Sequence, residues 1–259
     1  MKEVFDQILN TFENKDVREF AEKCIDAAPQ YFFEVGASST GKYHPQYALG
    51  TGGLARHTVA LVRILNHMFG VESIANQFTS RERDLLRVAG IAHDMQKSGT
   101  QVDFERNKYT KFDHPLRAAK FVESIKDDHI TDEDKHYIMH CIESHMGAFN
   151  TDRRNPGIVL PKPEDKHQVI LHLADYLASR KDLEVLFDNL PEVEDSPDHS
   201  KKLTPDDVDV NDFQIKFGKY AGLTWPEIEA ENPSYLNWGK DKEGFAFDVL
   251  RKYLKEKTS

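Results

Sequence analysis

Apolar residues recur at helical spacing through most of the first 190 residues, interrupted by short polar or Gly- and Pro-containing joints. Val4, Ile8, Leu9 and Phe12 make one stripe. Val17, Phe20, Ala21, Cys24 and Ile25 make a second, which Pro29 ends, so residues 3–28 read as two short helices. Tyr31-Phe32-Phe33 then leads into a loop rich in Gly, Ser, Thr and Pro up to Gly53. From Leu54 to about Phe69 the pattern predicts a helix, with Leu54, Leu61, Leu65 and Met68 on its apolar side and Gly70 as its stop. Ser80 is a suitable N-cap for the next, whose apolar run from Leu85 to Ala92 places His93 and Asp94 late in a largely buried helix. Residues 99–112 are polar and irregular. His114-Pro115 opens a further helix with Pro in its first turn, and Thr131 with Asp134 forms a capping-box signature for one reaching about His145. The longest periodic segment runs from about Pro163 to Asn189, with Asp175 in its middle. The body is all-α.

Between Pro191 and Asp212 the chain shifts to Asp, Glu, Pro, Ser and Lys, which reads as a linker or long loop. Beyond it, Phe217 to Gly222 looks like a strand-turn element. Thr224 and Glu227 make another capping box around Pro226, and Phe245, Val249, Leu250, Tyr253 and Leu254 stripe a closing helix. The expected organisation is a main domain over 1–190, an acidic linker over 191–211 and a small α+β module over 212–259.

A chain of 259 residues can bury one substantial core and a small second one. No apolar run approaches the roughly 20 residues of a membrane span. Met1-Lys2-Glu3-Val4-Phe5-Asp6 has no signal-peptide character, so the expected location is the cytoplasm and no membrane partner is expected. Cys24 and Cys141 are too few for a thiolate zinc site and read as small apolar residues. The net charge of −10 argues against coating long stretches of nucleic acid, while leaving room for a local basic mouth. Twelve histidines are many for this length, and their placement is informative.

The pair His93-Asp94 closes an apolar stretch. A buried carboxylate needs a partner, and a cation that accepts both imidazole and carboxylate would serve. The alternative is that His93 caps the helix and Asp94 pairs with a nearby Lys or Arg. The helices present, in order, His57, His93 with Asp94, His114, then His140 or His145, and Asp175. This ordered set occurs in the contexts Gly52-Gly53-Leu54-Ala55-Arg56-His57-Thr58, His93-Asp94 with Lys97, His114-Pro115, Ser144-His145-Met146-Gly147 and Ala174-Asp175. Over roughly residues 35–185 it resembles the HD superfamily of metal-dependent phosphohydrolases. The Gly-Gly-Leu and Ser-His contexts are most similar to the branch containing bacterial 3′-to-5′ exoribonucleases. The tail, Phe217-Gly218-Lys219-Tyr220 through Tyr235-Leu236-Asn237-Trp238, is similar to a small module found behind some exonucleases and in phage-encoded proteins.

The resemblance implies a helical bundle holding one or two divalent cations, Mn or Fe foremost, with Mg, Ni, Co or Zn as alternatives. His57, His93, Asp94 and Asp175 would hold the first. Asp94 would bridge to a second held by His114 and His145, and Asp94 and Lys97 would be catalytic. On a helix, His140 and His145 point about 140° apart. The Met146-Gly147 context selects His145. Met146 stands where many relatives have a second histidine, which disfavours more than two metals. His172, one turn before Asp175, is either a partner behind the ligands or a packed or exposed residue. Lys42, His44, Arg153, Arg154 and Arg180 are either phosphate contacts or solvated surface groups. A Gly-Tyr-Pro signature is missing after His145, which disfavours cyclic dinucleotides. The expected activity is cleavage of a phosphoester in a nucleotide or short single-stranded nucleic acid by metal-activated water. The alternative is a non-catalytic nucleotide-sensing or partner-binding module on the same scaffold, favoured by the acidic linker, the tail, Met146 and Gln96.

Overall fold

Capping boxes decide where several helices begin. In the computed structural model, which describes residues 2–38, 44–152, 155–183, 185–187, 204–215 and 217–258, the chain forms two compact units, Met1–Glu194 and Asp195–Ser259. The first contains α1 (Asp6–Leu9), α2 (Lys15–Ala27), α3 (Gly53–Phe69), α4 (Glu72–Ala75), α5 (Ser80–Ala92), α6 (Gln101–Arg106), α7 (His114–Ser124), α8 (Asp132–Glu143) and α9 (Lys166–Ala178). Reciprocal boxes start α5 (Thr79 with Glu82), α6 (Thr100 with Asp103), α8 (Thr131 with Asp134) and α9 (Asp165 with Gln168). Each satisfies backbone donors that a helix start leaves open, an effect of about 1 kcal/mol.

Several expectations are corrected here. Thr79, not Ser80, caps α5, and α6 occupies part of the stretch read as irregular. Helix α5 ends at Ala92 and α8 at Glu143, so His93, Asp94 and His145 lie at or beyond helix ends. Helix α9 stops at Ala178, well short of Asn189, where the following main-chain bonds, Arg180 N–H to Leu177 O and Leu183 N–H to Arg180 O, span three residues instead of four. Leu183 and Leu186, whose spacing prolonged the expected helix, are 38% and 77% exposed.

Helix α3 packs against α5 and α9, α5 against α2 and α8, and α7 against α8. Leu54, Leu61, Leu65, Leu86 and Ile91 are fully buried between them. Gly90 makes the α3–α5 approach close, since a Cβ there would sit 2.7 Å from Leu61 Cδ2. Asp84, fully buried on α5, accepts the main-chain N–H groups of Glu13 and Asn14 and pairs with Arg87 at 2.5 Å, fixing the start of α2. Cys24 and Cys141 are free and buried, and burial pushes the Cys24 thiol up to about 12.

The second unit has α10 (Trp225–Glu231), α11 (Pro233–Gly239) and α12 (Phe245–Lys257) around Trp225, Ile215, Ile228, Val249 and Leu250, joined by Val210. The expected α+β character is not found. Among the described residues the unit has no strand, only an isolated bridge between Gln214 and Thr224. Ile215 and residues 222–223 close a single turn, and Thr224 is at once the N-cap of α10, so the second limb passes into helix. Residues 188–203, most of the expected linker, lie outside the described residues. No described helix is long and apolar enough to cross a membrane.

Candidate metal centre

Three histidines are aimed by the same local device. His93 is the C-cap of α5, His114 the first residue of α7, and His145 follows the end of α8. In each, ring Nδ1 lies against the main-chain oxygen three residues earlier: Gly90 O at 2.7 Å, Lys111 O at 2.8 Å and Ile142 O at 2.7 Å. A carbonyl only accepts, so Nδ1 carries the proton and Nε2 of the neutral ring is a bare lone pair. The three Nε2 atoms converge on Asp94. His114 and His145 lie 3.1 and 3.9 Å from its Oδ1, and His93 lies 3.5 Å from its Oδ2. The His114 and His145 Nε2 atoms are 3.2 Å apart. Two lone pairs at that distance repel unless a cation or proton lies between them.

His57, in the second turn of α3, brings Nε2 within 3.0 Å of Asp175 Oδ1, which is also 3.7 Å from His93 Nε2. Asp175 stands in the last turn of α9, where the Tyr47 hydroxyl donates to the Ala178 carbonyl at 2.8 Å. The six side chains form three overlapping triples, each with its ligand atoms within 4.8 Å of one another: His57, His93 and Asp94; His93, His145 and Asp175; Asp94, His114 and His145. His93 Nε2 and Asp94 Oδ1 are buried without a hydrogen-bond partner. Orphaned nitrogen and oxygen donors facing one point are what a divalent transition ion requires, and the donor set fits one.

The charges agree. Burial works against the Asp94 carboxylate, but Lys97, His93 and His114 outweigh it and hold its pKa well below the usual range. Asp175 is likewise held low against burial by His57 and His93. His93 loses by burial but is raised overall by Asp94 and Asp175. Burial, with His93 and His114 beside it, pushes His145 down to about 3.

Lys97 Nζ bonds Asp94 Oδ2 at 2.6 Å. Its loop is tied down by Tyr31, whose buried hydroxyl accepts from Ser98 N and lies 2.7 Å from Gly99 O. The cluster forms the floor of a cavity of about 670 Å³ that His44, Lys97, Thr110, Met146, Phe149 and Arg180 also line. His44 packs its ring 5.8 Å from that of His57, and burial pushes it down to about 4. Arg180 holds its guanidinium over the Tyr176 ring, with Nε buried and unpartnered. Lys42, Arg153 and Arg154 lie outside the described residues. His140 is exposed and pairs with Asp165 at 3.0 Å, away from the cluster. His172 meets the main-chain oxygen of His145 through Nδ1 at 2.7 Å, which settles its place behind that histidine. Sequence reasoning missed Tyr31, Thr110 and Phe149. Tyr31 stands in the aromatic run that leads into the Gly-rich loop, and nothing local marks the other two.

Residues 64–180 match the protein-family model of the HD domain. This stretch is an HD domain. It contains His93, Asp94, His114, His145 and Asp175 and begins just after His57. HD domains are typically metal-dependent phosphohydrolases that bind divalent metals, and five of the six side chains of the His/Asp cluster, all but His57, lie within this one. No curated protein and no solved structure matches the chain.

Proposed function

We propose that the protein hydrolyses a phosphoester of a nucleotide, or of the end of a short single-stranded nucleic acid, with one or two divalent cations held by the cluster. The observation that carries this reading is the convergence of three Nδ1-locked histidines on Asp94 at the floor of an open cavity. His57, His93, Asp94 and Asp175 would hold one cation, and His114 and His145 a second, with Asp94 shared. Its two oxygens already face different sides, Oδ1 toward His114 and His145 and Oδ2 toward His93 and Lys97. Mixed imidazole and carboxylate donors favour Mn or Fe over Ca. Polarisation of the phosphoester and of the attacking water is the chemistry such ions supply when bound.

The protein's own groups bind and orient. Lys97 balances the charge of Asp94 at the cavity wall. Arg180, which lines the cavity, is a cationic donor for a phosphate oxygen. His44, kept neutral by burial, can donate or accept beside His57. A cavity of about 670 Å³ suits one nucleotide or the end of a strand, and a net charge of −10 is poorly matched to a duplex. The resemblance of the Gly-Gly-Leu and Ser-His contexts to the exoribonuclease branch supports a strand end as one form of the substrate.

The test is Mn-dependent hydrolysis of nucleoside monophosphates and short single-stranded DNA and RNA by the wild type and Asp94→Ala. Turnover in the wild type that falls to background in the variant supports the reading. Metal-loaded wild type that binds nucleotides but turns none over refutes hydrolysis and leaves the nucleotide-sensing alternative.

A further inference from the structure

The cavity above the cluster is polar and buried at its floor but aromatic at its rim. Phe149 lines it and is nevertheless 69% exposed. A lone exposed apolar side chain is ordinary on a protein surface. This one differs in that its backbone is fixed on both sides. The Phe149 N–H donates to the Met146 carbonyl at 3.0 Å. The next residue, Asn150, is joined to Leu160 twice, through its main-chain oxygen at 2.7 Å and its side-chain amide at 3.0 Å. On the other side Gly147 turns the chain at φ +55°, so close to His172 that a Cβ would overlap the imidazole, and His172 in turn holds the His145 carbonyl. The segment carrying the Phe149 ring is therefore tied to the histidine that belongs to the metal cluster. Elsewhere on the wall, Arg180 supplies a positive charge. A ligand with an anionic end and a flat apolar end finds a place for each.

We propose that Phe149 is the platform on which the nucleobase of the substrate stacks. This rests on reading the cavity as a phosphoester site and adds that the ligand carries a base. Because the backbone is already ordered, stacking on the ring loses little further freedom. Stacking on an aromatic face accepts any base, and its loss on truncation to alanine corresponds to about 5- to 150-fold in affinity.

The experiment compares calorimetric binding of two non-hydrolysable phosphonates, those of adenosine 5′-monophosphate and of ribose 5-phosphate, to the full chain with Mn²⁺. Wild type, Phe149→Ala and Phe149→Trp are measured side by side. The wild type is expected to prefer the base-bearing analogue. Phe149→Ala should weaken that analogue about 5- to 150-fold while leaving the sugar phosphonate within a factor of about two, and Phe149→Trp should keep the preference. No preference in the wild type, or equal weakening of both analogues by Phe149→Ala, overturns the proposal. Hydrolysis of adenosine 5′-monophosphate and of short single-stranded DNA and RNA is followed in parallel. A base preference without hydrolysis removes the proposed activity and leaves the platform, whereas hydrolysis without a base preference does the reverse.

Discussion

Divalent metal should raise the unfolding temperature of the helical unit, and Asp94→Asn should remove most of the rise. A ligand that binds only the folded state at about 1,000 times its dissociation constant stabilises by about 4.1 kcal/mol. In a unit of this size each kcal/mol moves Tm by about 2–4 °C, so saturating Mn²⁺ should add about 8–16 °C. Asp94 faces three imidazole lone pairs at 3.1, 3.5 and 3.9 Å, so a carboxamide there replaces a shared anionic donor with a neutral one. If affinity falls 100-fold at the same metal concentration, about 1.4 kcal/mol remains, or about 3–6 °C. The metal-free protein should change much less, because the substitution removes the cost of burying a carboxylate along with its ion pair to Lys97. Calorimetry with Mn²⁺ and with chelator measures both differences. A wild-type Tm unmoved by saturating Mn²⁺, or a full rise in Asp94→Asn, would refute the reasoning.

Asp84→Asn leaves Arg87 as a buried, unpaired charge and should cost about 3–5 kcal/mol, measured by urea unfolding; a loss under about 1 kcal/mol would show the pair to be dispensable. Gly147→Ala puts a methyl into the His172 imidazole at a positive φ, so we expect about 1–3 kcal/mol of destabilisation and metal affinity lowered about 10- to 100-fold, read by titration calorimetry. Unchanged affinity would mean that His172 does not support His145. Burial works against the Asp134 carboxylate, but Arg81 and Thr131 outweigh it and lower its pKa, so its contribution is present above the unfolded value of about 4 and is lost as pH falls through the lower native value. Asp134→Asn should therefore flatten the stability profile below about pH 4, and a profile identical to wild type would exclude this source of acid lability.

Much of this architecture is legible in the sequence because period and caps are local. The stripe of α3 and the Thr131–Asp134 box need no tertiary information. The Thr100–Asp103 box was equally visible but sat in a stretch too polar to suggest helix. Helix ends were read less well. Leu183 and Leu186 keep a helical spacing without a helix, and that made Asp175 look central when it stands in a last turn. An angle taken on a continuous helix separates His140 from His145, and the Met146-Gly147 context selects His145. In the structure the helix has already ended, and the two part because His140 stays on α8 beside Asp165. Asp94 becomes a candidate through the ordered set of histidines around it in the sequence, whereas the place of Phe149 at the cavity rim depends on contacts of its neighbours with Leu160 and His172 that no local pattern encodes.

The groups that aim His93, His114 and His145 belong to peptide bonds. No exchange of side chain at 90, 111 or 142 deletes those oxygens, so the orientation of three rings is insulated from substitution at the very residues that supply it. Drift is restrained there only by packing, as at Gly90 against Leu61. The neighbours of the histidines can thus diverge while the rings keep their aim, and a chain of this kind can hold its metal-facing geometry after most of its recognisable likeness to relatives has worn away.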